Sequence, residues 1–195
     1  MRACDNPFAT HRVLRVRYRL RDVTWEELLA KLSRLHYRAA IVGPKGRGKT
    51  TLLEDLKPRL QQLGFTTKNL RLDESNPKFT RNFLADFFAN LSTCDIILFD
   101  GAEQMSWLAW RLFRRRAQKA GGLIITSHRS GLLPTLIECS TTPELLEEIV
   151  TELKASLPDA PALFQKHRGN LREALRELYD CCAEQQSKCR LAFCD

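Results

Sequence analysis

The chain has 195 residues, 44% of them hydrophobic and 28% charged, with a formal net charge of +8 and a pI near 9.3. That length suits one domain, or one domain with a small appendage, and the apolar content is enough for a real core. No stretch approaches the ~20 apolar residues of a membrane span, and the opening residues Met1 to Pro7 hold no apolar signal core, so the expectation is a soluble, cytoplasmic protein.

Residues 1–12 read as irregular. From Val13 to Arg21 the residues alternate, with Arg15, Arg17, Arg19 and Arg21 on one parity and Leu14, Val16, Tyr18 and Leu20 on the other. Period two predicts a strand with one apolar and one basic face. Trp25 to Leu35 then predicts an amphipathic helix, with Thr24 as its cap and Glu27 completing a capping box. A regular alternation follows. Strands are predicted at about 38–42, 65–72, 95–99, 123–126 and 136–139. The helices between them fall at about 49–63, 79–91 and 103–120, with Gly64 and Gly121-Gly122 as stops. Strands alternating with helices imply an α/β fold with a parallel sheet covered on both faces. After Thr142-Pro143 only helices are predicted, at about 143–156, 159–168 and 170–186. The expected organisation is a basic strand and helix over 1–36, an α/β core over 37–142, and a helical appendage with a tail over 143–195.

The most specific stretch is Gly43-Pro44-Lys45-Gly46-Arg47-Gly48-Lys49-Thr50, followed by Thr51. Glycine, four residues and Gly-Lys-Thr between a predicted strand and a predicted helix is the phosphate-binding loop. Gly43, Gly46 and Gly48 let the backbone approach phosphate oxygens closely, and backbone N–H groups and the helix N-terminus point at the anion. Lys49 is placed to reach the β- and γ-phosphates and the Thr50 hydroxyl to ligate Mg²⁺. Lys45 and Arg47 add positive charge, with side chains expected to point outward because the loop works through its backbone.

Four apolar residues and an acid, Ile96-Ile97-Leu98-Phe99-Asp100, supply the carboxylate that a Mg²⁺ site needs at the end of a neighbouring strand. Glu103 is the candidate general base for activating water, with Gln104 second. The fourth strand runs into Thr126-Ser127-His128-Arg129, polar residues at the carboxyl end of a buried strand, where ligands of open α/β sheets bind. Thr126, Ser127 and His128 are therefore candidates to contact the γ-phosphate or the attacking water.

Seven cysteines, an odd number, fit a reducing compartment better than a disulfide scaffold. Cys94 and Cys139 read as core fillers. The C-terminal group Cys181, Cys182, Cys189 and Cys194 lacks a paired C-x-x-C knuckle, which argues against a zinc site.

Together these motifs resemble the AAA+ and related signalling (STAND) ATPases over roughly residues 37–185. Gly43 to Thr50 matches Walker A and Ile96 to Asp100 resembles Walker B. Ile124-Ile125-Thr126-Ser127 looks like the strand that ends in the sensor-one residue. Phe164 to Arg172, containing Gly169-Asn170-Leu171-Arg172, resembles the segment where Gly-x-x-Arg opens a lid helix. The resemblance implies a sheet ordered 5-1-4-3-2, ATP with Mg²⁺, a helical lid, and Arg172 reaching the γ-phosphate. Many family members carry Glu directly after the Walker B Asp; here that position is Gly101. The leading reading is an ATP-binding, ATP-hydrolysing switch, with a protein partner or homo-oligomer. Its alternative is a DNA-associated helper ATPase, supported by the arginine strand and the +8 charge. A small-molecule or nucleotide kinase and an ABC-type ATPase rank lower. No guanine-reading Asn/Thr-Lys-x-Asp motif is present, which leans toward ATP over GTP.

Overall fold

The structure is a computed structural model and describes residues 6–73, 78–155 and 159–191, with side chains described as far as Glu184. Cys4, Cys194 and Pro158 lie outside the described residues. In chain order the elements are α1 (Thr10–Val13), α2 (Trp25–Arg34), β1 (Arg38–Val42), α3 (Lys49–Gln62), β2 (Thr66–Arg71), α4 (Arg81–Ala89), β3 (Asp95–Asp100), α5 (Trp107–Arg116), β4 (Gly122–Ser127), β5 (Thr135–Glu138), α6 (Pro143–Glu152), α7 (Ala160–Lys166) and α8 (Leu171–Leu191). They divide into two compact units. One holds 18–44 and 49–139; the other holds the N-terminal residues to Arg17, Lys45–Gly48 and Ser140 onward.

The larger unit is a sheet of five strands in the order β2-β3-β4-β1-β5, every neighbouring pair parallel. Read from its other edge this is the 5-1-4-3-2 order that the family resemblance implies. The three central strands β1, β3 and β4 are apolar on both faces because both faces are covered, while the edge strand β2 is largely exposed. Ala39, Ile41, Ile96, Leu98 and Ile124 pack against Leu28 and Leu32 of α2 and Leu52, Leu56 and Leu60 of α3. Ala40, Ile97, Phe99, Leu123 and Ile125 pack against Phe88 of α4 and Trp110 and Phe113 of α5. The capping box at Thr24 and Glu27 forms as the sequence predicts.

Two expectations are corrected. Residues 13–21 form no strand: the chain closes α1 and then runs through turns and irregular backbone. Leu14, which the alternation puts on an apolar face, is 78% exposed, while Val16 is buried among the C-terminal helices and Tyr18 and Leu20 pack against the α2–α3 core. Alternate apolar residues thus serve separate cores, not one pleated surface. The helix expected over 103–120 is also shorter. A 3-10 turn occupies Ala102–Gln104, Met105 and Ser106 are extended, and the Ser106 side chain accepts from Ala109 N–H to start α5.

The smaller unit is helical. Leu146, Ile149 and Val150 of α6 and Leu171, Ala174 and Leu175 of α8 bury against Phe8 and Val16. Asn6 ties the N-terminal segment to α8, its Nδ2 donating to the Tyr179 carbonyl at 3.0 Å. No helix among the described residues is long and apolar enough to cross a membrane.

Phe99 is the largest fully buried side chain of the sheet and lies 5.1 Å from the Phe113 ring and 5.7 Å from that of Phe79. Phe99→Ala is expected to lower stability by about 3–5 kcal/mol through lost burial and the cavity left behind, measured by denaturant unfolding.

Candidate functional site

Parallel register sets what meets at the carboxyl edge of the larger unit. Val42 lies opposite Ser127, and Arg71 opposite Asp100. The chain leaves β1 at Gly43, whose N–H donates to the Ser127 carbonyl at 3.1 Å. β3 lies next to β4, so Asp100, Thr126, Ser127 and Gly43 gather at one end of three adjacent strands. Cys139 lies against Gly43. Burial pushes its thiol up, which keeps it a neutral filler, as its apolar neighbours in sequence suggest; Cys94, read the same way, is exposed just before β3 and fills no core.

Helix α3 opens on Lys49 and Thr50. Lys49 is only 8% exposed, and its Nζ donates to the carbonyls of Gly43 at 2.7 Å and Pro44 at 2.8 Å. A buried ammonium needs such acceptors, and these two hold it beside the start of the loop. The Thr50 hydroxyl donates to Asp100 Oδ2 at 3.0 Å. Thr51 and Thr50 are half-buried, and Pro44 and Lys45 are exposed.

Asp100 is held on its other oxygen as well. Thr126 Oγ1 donates to Asp100 Oδ1 at 2.6 Å and accepts from Gly101 N–H at 2.9 Å. Thr126, one of three sensor candidates in the sequence, therefore has its hydroxyl committed to aiming the carboxylate. Arg71 Nε stands 3.8 Å from Asp100 Oδ2 and 3.8 Å from Asp73, on an exposed side chain. Sequence reading did not single out Arg71; its register partnership with Asp100 is the signal that finds it.

Gly101 explains how Glu103 reaches the site. Its φ is +86°, a left-handed conformation, and a Cβ there would collide with the Leu72 carbonyl oxygen. A glutamate directly after Asp100 is therefore excluded. The left-handed turn instead starts the 3-10 turn that carries Glu103. Its Oε1 lies 3.1 Å from His128 Nε2. Its Oε2 is buried and has no hydrogen-bond partner among the described residues. Ser127 is buried, with its Oγ donating to the Arg129 carbonyl at 2.7 Å and accepting from Arg129 N–H at 3.3 Å. This local turn shapes the strand exit and presents His128. Gln104 is exposed.

In the smaller unit, Gly46 and Gly48 have φ of +76° and +80°. Arg47 corrects the outward orientation expected for it: its guanidinium bonds Thr141 and the Arg168 carbonyl. Gly169 ends the α7 region with φ +75°, and Asn170 caps α8, its Oδ1 accepting from Glu173 N–H at 3.2 Å. The break between the two helices falls where the sequence ranges put it. Arg172 is exposed on the first turn of α8.

The donor set at Thr50 and Asp100 suits Mg²⁺. Both are hard oxygens, and Mg²⁺ is held by one or two protein groups together with waters and substrate phosphates. Among the described residues no cluster of three or more His, Cys, Asp or Glu is disposed to hold a metal by itself, which such a site does not require.

No protein-family model matches the chain, and no curated protein matches it. Among solved structures, a point variant of RuvB from Thermotoga maritima matches with a TM-score of 0.54 at 22% identity, covering 85% of this chain. The chain spans 64% of that neighbour's length. At this identity the likeness is one of fold.

Thr126→Val removes a hydrogen bond to a carboxylate and leaves Gly101 N–H buried without an acceptor. It is expected to cost about 1.5–3 kcal/mol, read by thermal or denaturant unfolding. The five-stranded order, the flanking helices and the loop between β1 and α3 together make an α/β fold of the P-loop NTPase type.

Proposed function

We propose that this chain is a Mg²⁺-dependent, ATP-binding switch that hydrolyses ATP. The observation that carries the reading is the meeting of Thr50 Oγ1 and Asp100 Oδ2 at 3.0 Å from positions fifty residues apart. A hydroxyl at the start of the loop helix and a carboxylate at the end of β3 are the two oxygens that a nucleotide-bound Mg²⁺ calls for. Bound there, the ion would neutralise charge on the β- and γ-phosphates.

The chain's own residues divide the remaining work. The loop from Gly43 to Thr50 offers backbone N–H groups to the phosphates. Lys49 exchanges its carbonyl acceptors for phosphate oxygens. Glu103 is the general base, and its unpartnered Oε2 supports that role: a carboxylate oxygen without a donor is costly to the fold and keeps its lone pairs free to take a proton once the side chain turns toward a water. As the water oxygen bonds to the γ-phosphorus, the bond from that phosphorus to the bridging oxygen breaks. The proton passes to Glu103, and ADP and phosphate leave. His128 holds the other carboxylate oxygen and so orients Glu103. Arg172, on the first turn of α8, is the candidate sensor of the γ-phosphate. The DNA-associated alternative has less support, because the arginine strand that suggested it does not form.

Phosphate release measured with ATP and with GTP tests the reading directly; no turnover of either would overturn it. Lys49→Ala is expected to weaken ATP binding by roughly 10- to 100-fold, the loss of a charge-assisted hydrogen bond, in an equilibrium titration. Glu103→Gln is expected to keep ATP affinity and lower kcat by about 10²–10⁴, the contribution typical of a general base. Arg172→Ala is expected to weaken ATP more than ADP, and equal losses would remove it from the site.

A further inference from the structure

The middle of the phosphate loop, Lys45–Gly48, belongs to the same compact unit as the C-terminal helices, and its contacts there are dense. The Gly46 carbonyl accepts from Leu171 N–H at 3.2 Å. Leu171 is the first residue of α8, so a loop carbonyl satisfies one of the N–H groups that every helix leaves open at its start. The Asn170 side chain lies against Gly46, and a Cβ on Gly46 would collide with Asn170 Oδ1. Next in sequence, Arg47 spreads its planar fork over the turn between α7 and α8. Nη1 donates to Thr141 Oγ1 at 2.6 Å and Nη2 to the Arg168 carbonyl at 2.9 Å. Thr141 Oγ1 in turn donates to the Gly169 carbonyl at 2.7 Å. The turn is braced on its far side by Glu177 Oε2, which pairs with Lys166 Nζ at 2.6 Å and lies 2.9 Å from His167 Nε2.

The geometry has a consequence for donor direction. The peptide joining Gly46 to Arg47 is planar and trans, so its C=O and N–H point in opposite directions. Anchoring the Gly46 carbonyl on α8 fixes which way the Arg47 N–H points. That N–H is among the backbone donors a phosphate would use. Arg47 locks the same peptide from its side chain, since the guanidinium cannot keep both Thr141 and the Arg168 carbonyl if the loop rotates.

We propose that Arg47 is a positioning residue that couples the phosphate loop to the α7–α8 turn. Through Arg47 and the Gly46 carbonyl, the start of α8 presets the loop's donors, and an anion in the loop steadies the start of α8. This rests on the loop being a nucleotide site. Coupling of this kind is reciprocal, so it is readable at both ends. The state of the turn alters nucleotide affinity, and the nucleotide alters the stability of the turn. Thr141 is the independent handle, because it lies outside the loop and touches it only through Arg47 among the contacts described above.

The experiment uses the full chain, with ATP and ADP titrated by calorimetry and amide hydrogen exchange followed over residues 169–174. Wild type, Arg47→Ala, Arg47→Lys and Thr141→Val are compared, with thermal melts to establish that each variant folds. In wild type, saturating ATP is expected to slow exchange at Leu171 to Ala174 by about tenfold, the size of an ordinary coupling between sites. In Arg47→Ala and Thr141→Val the slowing should fall below about twofold, with ATP affinity lowered by about 5- to 30-fold in both. Arg47→Lys keeps the charge without the fork and should resemble Arg47→Ala in exchange while losing less affinity. ATP binding to wild type with no change in exchange at 169–174 would overturn the coupling and leave the nucleotide site standing. So would full retention of the slowing in Arg47→Ala and Thr141→Val. Failure of wild type to bind either nucleotide would overturn the site reading, and the coupling with it.

Discussion

Asp100 is the group on which the larger unit's chemistry depends, because both of its oxygens are spoken for by side chains from other elements. Oδ1 accepts from Thr126 on β4 and Oδ2 from Thr50 on α3. Neither contact is available unless β3 and β4 are adjacent, parallel and in register, and unless the chain turns from β1 into α3 at the same edge. The apolar burial of Ile96 to Phe99 and of Leu123 to Ile125 limits that register, since a slip along the strand would draw the Asp100 carboxylate into the core or push an apolar residue out of it. A hydrophobic constraint two to four residues back along the strand thus becomes an angular constraint on a carboxylate. That is how a site with few protein ligands reaches a defined geometry without a cluster of acids.

Much of this was legible in the sequence, for identifiable reasons. The central strands β1, β3 and β4 are short, continuous apolar runs bounded by polar or glycine residues, the signature of strands buried on both faces. The loop from Gly43 to Thr50 has its own residue code, and Asp100 is marked by its position after four apolar residues. The N-terminal segment shows where such reading fails. Its alternation is real, but period two reports a strand only if all the apolar residues face one surface. Here Val16 enters the helical core while Tyr18 and Leu20 enter the sheet unit's core, and no local pattern distinguishes those cases. The break after Asp100 failed for a related reason. Gly101 takes a left-handed backbone where the Leu72 carbonyl leaves no room for a Cβ, a contact from a neighbouring segment that propensity cannot register.

Arg47 is the clearest example of a long-range contact that sequence reasoning could not supply. A loop arginine among glycines reads as a charge displayed to solvent, and its partners lie 94 and 121 residues away. The hydrogen bonds go to two backbone carbonyls and a threonine hydroxyl, groups without a charge signature in the chain. By contrast, the helix cap at Asn170 was readable because capping is a local relation between a side chain and an N–H three residues on.

The pairing of Glu103 with His128 bears on how the departure at Gly101 is accommodated. A carboxylate directly after Asp100 would continue the strand's alternation and be aimed by β3 itself. Moved onto a 3-10 turn two residues later, it loses that support, because the turn alone leaves its side chain free to rotate. His128, at the exit of β4, replaces the lost constraint by binding Oε1. Its own placement follows from the tight turn that Ser127 makes with Arg129. The orientation of Glu103 is thus inherited from β4 instead of β3, as that of Asp100 is in part through Thr126. Thr126 on β4 and Thr50 on α3 share the aiming of Asp100, while His128 just past β4 holds Glu103.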